Sequence, residues 1–576
     1  MRQRINSIPG YTASDALNDA LFRAGVSHIF VNSGTDYPPI IESWAKFEAQ
    51  GKPKPEIIIS PHEYVAMSAA QGYAQATGQP QAVFVHVDVG TQNLGGAIHN
   101  AFRCRVPVFV LAGLSPYTLE GELPGGRDSY IQYIQNAADQ AGIVRGYTKL
   151  DFDLRSGKNT QQLVYRALQL AKSAPCGPVY MTATREALEE EGWDIGGGMD
   201  DSWRPVAAMG LDGRTAGALA AALAQAEKPL VITSYLGRNK ESVGELVRLC
   251  ERLAVPVAEM VPSYMNFPMK HPMYFGGQVH EFLKESDLIL VIDCDLPWTP
   301  AFMSPKEGCR VFYLDIDPIK EHIPLWYIPA EMSIRADSGA ALRQLNEIIG
   351  RDAGALNLDE GKIAERRKTL EKRHSEMAEK RNKEEAQGGV YSAYLTACIR
   401  EIIDDDTIIL NETITDRPIA DGHLPRSKPG TLFGSGGSSL GWFGGAAVGV
   451  KLACPDKDVV ALASDGTFVF SCPTAVYWMA RRYKTPFLTV IYNNQGWNAP
   501  KMITKGQHPD GYAAKSGNFW TSFQPSAALD RIAEAAGGAF ARTVTAPEEI
   551  LPALREGKKA VENGTAAVIN VLLPPV

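Results

Sequence analysis

Residues 458–501, DVVALASDGTFVFSCPTAVYWMARRYKTPFLTVIYNNQGWNAPK, restrict the fold more than any other stretch. Two short apolar runs, 459–463 and 487–492, flank a segment in which Pro473 suits a first helical turn. Strand, loop, helix and strand at this length predict a parallel pair whose carboxyl ends lie side by side. Asp465 follows one end and Asn493-Asn494 the other. In open α/β sheets that edge binds ligands. Asp465, the Asn494 amide oxygen and the backbone at Gly496 are hard oxygen donors suited to Mg2+. The expectation is a divalent ion that holds a phosphorylated cofactor. Asp-Gly and Asn-Asn are also ordinary turn dipeptides, and taken alone the turn reading prevails.

The chain has 576 residues, too many for one core, so two to four domains are expected. A formal net charge of -8 argues against a nucleic-acid surface. No run approaches the roughly 18 apolar residues of a membrane span, and residues 1–11 have no apolar core of a secretory signal. Eight cysteines stand singly without a CxxC pair, as expected of reduced thiols in the cytoplasm.

Apolar strands at 28–32, 56–60, 81–87 and 107–112 alternate with helical stretches, which predicts a doubly wound parallel sheet. The strand 28–32 breaks at Thr35-Asp36, and 88–93 reads as a break after the strand carrying His86. Thr35, Glu63 and His86 then fall near one carboxyl edge. The first domain is expected over 1–186, closing with the strand 177–182, and 189–203 reads as a linker. A second α/β domain is expected over 205–350, a charged helical linker over 351–387, and a third domain over 388–576. The fold class is therefore α/β, with three doubly wound parallel-sheet domains. No repeat is visible in the letters.

The downstream pair resembles the thiamine-diphosphate motif, Gly-Asp-Gly followed after a spacer by Asn-Asn. Asp465 and Gly466 match, and residues 467–493 separate Gly466 from Asn494. The first glycine is replaced by Ser464, which keeps a backbone N–H for a phosphate but limits close approach. The resemblance implies that Ser464, Asp465, Gly466, Thr467 and Asn494 meet the cofactor, and that Asp465, Asn494 and Gly496 hold the ion. The segment 57–78, IIISPHEYVAMSAAQGYAQATG, resembles the cofactor-activating segment of the acetolactate synthase and 2-oxo-acid decarboxylase group. Glu63 would there share a proton with N1' of the aminopyrimidine, making the 4'-amino group a base for the thiazolium C2. In 434–449, GSGGSSLGWFGGAAVG, Leu440 would wedge beneath the cofactor, with Ser438 beside it. The same resemblance implies pyrimidine-binding, central and diphosphate-binding domains, with the first and third meeting across a homodimer or homotetramer interface.

The segment 84–93, FVHVDVGTQN, looks more like benzoylformate decarboxylase than like acetolactate synthase. By that resemblance His86 is a proton donor or acceptor and Thr35, with Asp36, lines the substrate pocket. A lone histidine at a strand end is as well explained as a structural group. The second histidine of that enzyme is missing, since the stretch reads DLPWTP at 295–300. Trp497 and the aromatic insert 502–523 are expected to form a lid or pocket wall. FAD or an ADP-containing group in the central domain is conceivable by the resemblance, but no GxGxxG fingerprint supports it.

The reading is a thiamine-diphosphate and Mg2+ dependent lyase or carboligase acting on a small 2-oxo acid, acetolactate-synthase-like. The alternatives are a nonoxidative, benzoylformate-like decarboxylase, a 2-hydroxyacyl-CoA lyase-like enzyme and a noncatalytic paralogue.

Overall fold

In the computed structural model, which describes residues 6–196, 202–352 and 354–575, the apolar runs form three parallel sheets. The first has the spatial order Glu56–Ile59, His28–Asn32, Gln81–Val85, Val108–Gly113, Val179–Ala183, Asp151–Leu154. The third runs Leu432–Phe433, Ile408–Glu412, Val459–Ser464, Leu488–Asn493, Ala567–Leu572, Phe540–Val544. Counted in chain order within its own sheet, each reads 2-1-3-4-6-5. The two outer sheets thus repeat one topology that the letters do not show. Sheet order needs only buried apolar runs and crossover connections at corresponding places, and many sequences satisfy both.

In each outer sheet the winding reverses between the first and third strands. That reversal opens a crevice beyond their carboxyl ends, the usual ligand position of such folds. It lies beside His86 in the first sheet and beside Glu412 and Asp465 in the third. The central sheet has five parallel strands, Val257–Glu259, Pro229–Thr233, Leu288–Ile292, Arg310–Asp315 and Met332–Arg335.

Three local expectations change. The segment expected as a linker over 189–203 contains the strand Glu191–Asp194, which pairs antiparallel with Asn6–Thr12; residues 197–201 lie outside the described residues. With Trp193 as the one apolar residue among its four, the segment is too short to show an alternating pattern, and pairing with Asn6–Thr12 reveals it as a strand. Residues 465–470 and 88–93, read as loops, fall in the short helices Asp465–Phe470 and Val87–Asn93, and the strand expected over 81–87 ends at Val85. The charged run is the helix Glu360–Ala386, in which only Ile363 and Leu370 are buried. Its Arg366 donates to the carbonyls of Ala226, Leu253 and Ala254, and so binds the ends of two central-domain helices. Among the described residues no helix is long and apolar enough to cross a membrane.

The outer domains meet through the Ala-rich helix Glu63–Thr77 and the helix Trp442–Ala453. Contact this close needs glycine. A Cβ on Gly449 would lie 1.9 Å from the Ala69 carbonyl oxygen, and one on Gly72 would lie 2.4 Å from that of Ala446. Gly449→Leu is expected to destabilise the protein by about 3 kcal/mol in denaturant unfolding, because neither helix can retreat from a packed core. Gly244→Ala, in a helix with open space at that position, is expected to stabilise slightly.

Candidate active site

Strands Val459–Ser464 and Leu488–Asn493 are parallel neighbours with Ser464 opposite Tyr492, so Asp465 and Asn494 leave the sheet on adjacent ends. Asp465 is 2 % exposed. Its Oδ1 accepts the Gly466 N–H at 2.9 Å, whereas Oδ2 is buried and has no hydrogen-bond partner. The Asn494 Oδ1 is also buried without a partner, and its Nδ2 faces the Thr415 hydroxyl at 3.5 Å. Two buried oxygens without partners are costly unless a cation meets them. Burial pushes the Asp465 carboxyl up, while backbone N–H groups of Gly466, Gly496 and Gln495 oppose it. The two asparagines differ. Asn493 donates to Asn570 Oδ1 at 2.9 Å and accepts the Gln495 N–H at 3.1 Å, so it holds the sheet end together.

Ser464 caps the helix Asp465–Phe470. Its N–H goes to Thr467 Oγ1 at 2.8 Å, and its own hydroxyl oxygen accepts the Thr467 N–H. These reciprocal bonds between Ser464 and Thr467 form a capping box, and that box makes the expected loop a helix. Gly466 and Gly496 leave room for neighbours. A Cβ on Gly466 would meet the Trp497 ring at 2.2 Å, and one on Gly496 the Thr521 carbonyl oxygen at 2.4 Å. Trp497 therefore lies over Gly466, edge-on to Phe470 and Phe523. The insert beyond it forms the helices Asn498–Gln507 and Tyr512–Ser516, leaving Tyr512 and Trp520 almost fully exposed.

On the first sheet, Glu63 opens its helix and is 7 % exposed. Its Oε2 accepts from Asn93 Nδ2 at 3.1 Å, and Gly90 gives Oε1 space. His86 precedes the helix Val87–Asn93. Its Nδ1 lies within a short hydrogen bond of Asp36 Oδ1, and its Nε2 is 3.0 Å from Gln135 Oε1. Two glycines make the pair possible, since a Cβ on Gly34 would strike the His86 ring and one on Gly113 would strike the Asp36 carboxylate. Val87 adopts φ +24, an uncommon conformation for a β-branched residue and one often kept at working sites. Burial pushes the His86 imidazole down, but the Asp36 hydrogen bond and charge raise it by more. Thr35 is exposed at the turn beside the pair.

Leu440 is half-buried, and its carbonyl accepts from the Tyr64 hydroxyl at 2.6 Å. Ser438 is exposed, with its hydroxyl 3.3 Å from His99 Nε2. Sequence reasoning missed Asn93, Gln135, Tyr64 and Glu412. Each is an ordinary polar residue whose partner is remote in the chain, so no local pattern marks it.

Family models for the thiamine pyrophosphate enzymes match the chain in order: the N-terminal TPP binding domain over residues 11–143, the central domain over 216–345 and the C-terminal TPP binding domain over 418–571. The chain is 24% identical over 532 residues to the acetolactate synthase isozyme 3 large subunit of Escherichia coli, covering 88% of this chain and 86% of that one. It is 22% identical over 517 residues to the benzoylformate decarboxylase of Pseudomonas aeruginosa, covering 85% and 87%. Among solved structures, the thiamine diphosphate-dependent 4-hydroxybenzoylformate decarboxylase of Rhodococcus jostii superposes with a TM-score of 0.77 at 21% identity, covering 98% of this chain and 99% of that one. Models that together span most of the chain, on sheets that bring Glu63 and Asp465 to carboxyl edges, make this protein an enzyme of the thiamine pyrophosphate family.

Proposed function

We propose that the protein is a thiamine-diphosphate and Mg2+ dependent carbon–carbon lyase or carboligase acting on a 2-oxo acid. The observation that carries this reading is the pair of buried, partnerless oxygens, Asp465 Oδ2 and Asn494 Oδ1, at adjacent strand ends. Such hard oxygens fit Mg2+ with a diphosphate, and the Gly496 carbonyl would complete the protein's ligands. When bound, the cofactor supplies a carbon nucleophile and an electron sink for loss of CO2. Glu63, its carboxylate oriented by Asn93, would hold a proton at N1' of the aminopyrimidine. Leu440 would support the cofactor, and Trp497, which lies over Gly466, would help enclose it. His86, held at Nδ1 by Asp36, would exchange a proton with the substrate through Nε2 once the substrate displaces Gln135, and Thr35 would bind the substrate carboxylate. The functional unit in this reading is a homodimer or larger, with the first domain of one chain over the third domain of its partner. Exposed Tyr117, Tyr130 and Ile134 near the first sheet's edge, with Tyr512 and Trp520 near the third, are surfaces such a partner would cover.

A flavin is not part of this reading, since no dinucleotide fingerprint supports one and the charged groups at the central sheet's edge pair with each other. Beyond the central sheet's carboxyl edge, Arg105 pairs with Asp295 at 2.6 Å and Lys320 with Asp315 at 2.6 Å.

The specific presence of His86 favours one second reading, nonoxidative decarboxylation to an aldehyde. Incubation with thiamine diphosphate, Mg2+ and a panel of aliphatic and aryl 2-oxo acids separates the two. Expected is CO2 release that needs both additions, with an acyloin or acetohydroxy acid as product. Aldehyde alone selects the decarboxylase, and tight cofactor binding without turnover rejects both. His86→Ala is expected to lower kcat by on the order of 10²-fold. Asp36→Asn removes the group that raises the His86 pKa, so the His86 limb of the pH–kcat profile is expected to move to lower pH.

A further inference from the structure

Glu412 ends the first strand of the third sheet at the point where the winding reverses, and its side chain is 4 % exposed. It reaches across to the start of the helix Trp442–Ala453, directly after Leu440. Oε1 accepts the N–H of Gly441 at 3.0 Å and of Trp442 at 3.4 Å, and Oε2 accepts that of Phe443 at 2.9 Å. These belong to the N–H groups that a helix cannot satisfy itself. The residue at the cap position, Gly441, has no side chain to offer and sits at φ +95, where a Cβ would lie 2.4 Å from the Phe470 carbonyl. The cap therefore comes from a strand 29 residues earlier. On its other side, Leu440 is held through its carbonyl by Tyr64. The Thr467 hydroxyl, inside the helix that Asp465 opens, lies between two main-chain carbonyls, that of Glu412 at 3.2 Å and that of Ser464 at 3.0 Å. One residue thus ties the Leu440 turn with its side chain and meets the Asp465 turn with its main chain.

The geometry points to Glu412 as a positioning residue that sets Leu440 relative to the Asp465 ion site, and so sets the bend imposed on a bound cofactor. The inference rests on the proposed role of Leu440. Burial pushes the Glu412 carboxyl up to about 8 against its three N–H donors and Arg417, a cost the fold bears at this place.

The test uses the full-length protein with Glu412→Gln, Leu440→Ala and both together. Without cofactor, amide hydrogen exchange in the 438–443 peptide is expected to quicken on the order of tenfold in Glu412→Gln, since an amide can accept at only one of its two heavy atoms. With Mg2+, thiamine diphosphate affinity followed by tryptophan fluorescence is expected to stay within about threefold. Exchange of the C2 proton of the bound cofactor is expected to slow on the order of 30-fold, and the double variant to be no slower than Leu440→Ala alone. A lower melting temperature with unchanged C2 exchange, or additive losses in the double variant, would overturn the assignment. If Leu440→Ala itself leaves C2 exchange unchanged, the reading of Leu440 fails, and the amide exchange separately reports whether Glu412 holds that turn. Should Glu412→Gln not fold, Glu412→Asp, one methylene shorter, must show both effects or the assignment falls.

Discussion

Asp465→Ala is expected to cost on the order of 10³-fold in Mg2+-dependent thiamine diphosphate affinity, because it removes the carboxylate of the proposed ion site. The protein without cofactor should respond in the opposite direction. Asp465 Oδ2 is buried and partnerless, so deleting the carboxylate removes an unsatisfied group. The melting temperature of the cofactor-free variant is expected to equal or exceed that of the parent, while the rise that cofactor and Mg2+ give the parent should vanish. Asn494→Ala should show the same pattern more weakly. Asn493→Ala should do the reverse, losing stability with little loss of affinity, because its amide bonds Asn570 and the Gln495 N–H. Titration calorimetry with Mg2+ and thiamine diphosphate, beside thermal unfolding of both forms, checks this. An Asp465→Ala protein that keeps parental affinity would remove Asp465 from the ion site.

Glu63→Gln is the second large effect. The carboxylate sits almost out of solvent at a helix start with Asn93 on one oxygen. Glutamine can keep that hydrogen bond through its amide oxygen, so fold and cofactor affinity should change little. What it loses is the carboxyl proton that, in the proposed mechanism, Glu63 shares with N1'. A positioned acid–base group contributes on the order of 10²–10⁴ in rate, and turnover is expected to fall by that factor. Steady-state kinetics with saturating cofactor gives the loss directly, and cofactor binding measured in parallel shows whether it comes from chemistry. Parental turnover in Glu63→Gln would exclude Glu63 from the mechanism.

The residues of this proposed site were legible in the sequence unevenly. Asp465, Asn494, Glu63 and His86 follow apolar strands, and a residue just past a parallel strand has nowhere to go but the carboxyl edge. Their partners were not legible. Asn93 reaches Glu63 across 30 residues, Gln135 reaches His86 across 49 and Glu412 reaches Gly441 across 29. Nor could the letters tell which asparagine of the pair is structural, since that depends on Asn570 in a neighbouring strand. Residues 465–470 and 88–93, in the helices Asp465–Phe470 and Val87–Asn93, were read as loops, because glycine and β-branched residues lower helix propensity there.

The sequence by itself determined the α/β class, the places where strands end, and the residue types waiting at those ends. Periodic burial and turn chemistry are local and survive in a single chain of letters. Only the tertiary structure decided that both outer sheets wind alike, that glycines bring two helices into backbone contact, and which oxygens remain without partners. These depend on packing between segments far apart in the chain, where shape and hydrogen-bond accounting override local preference.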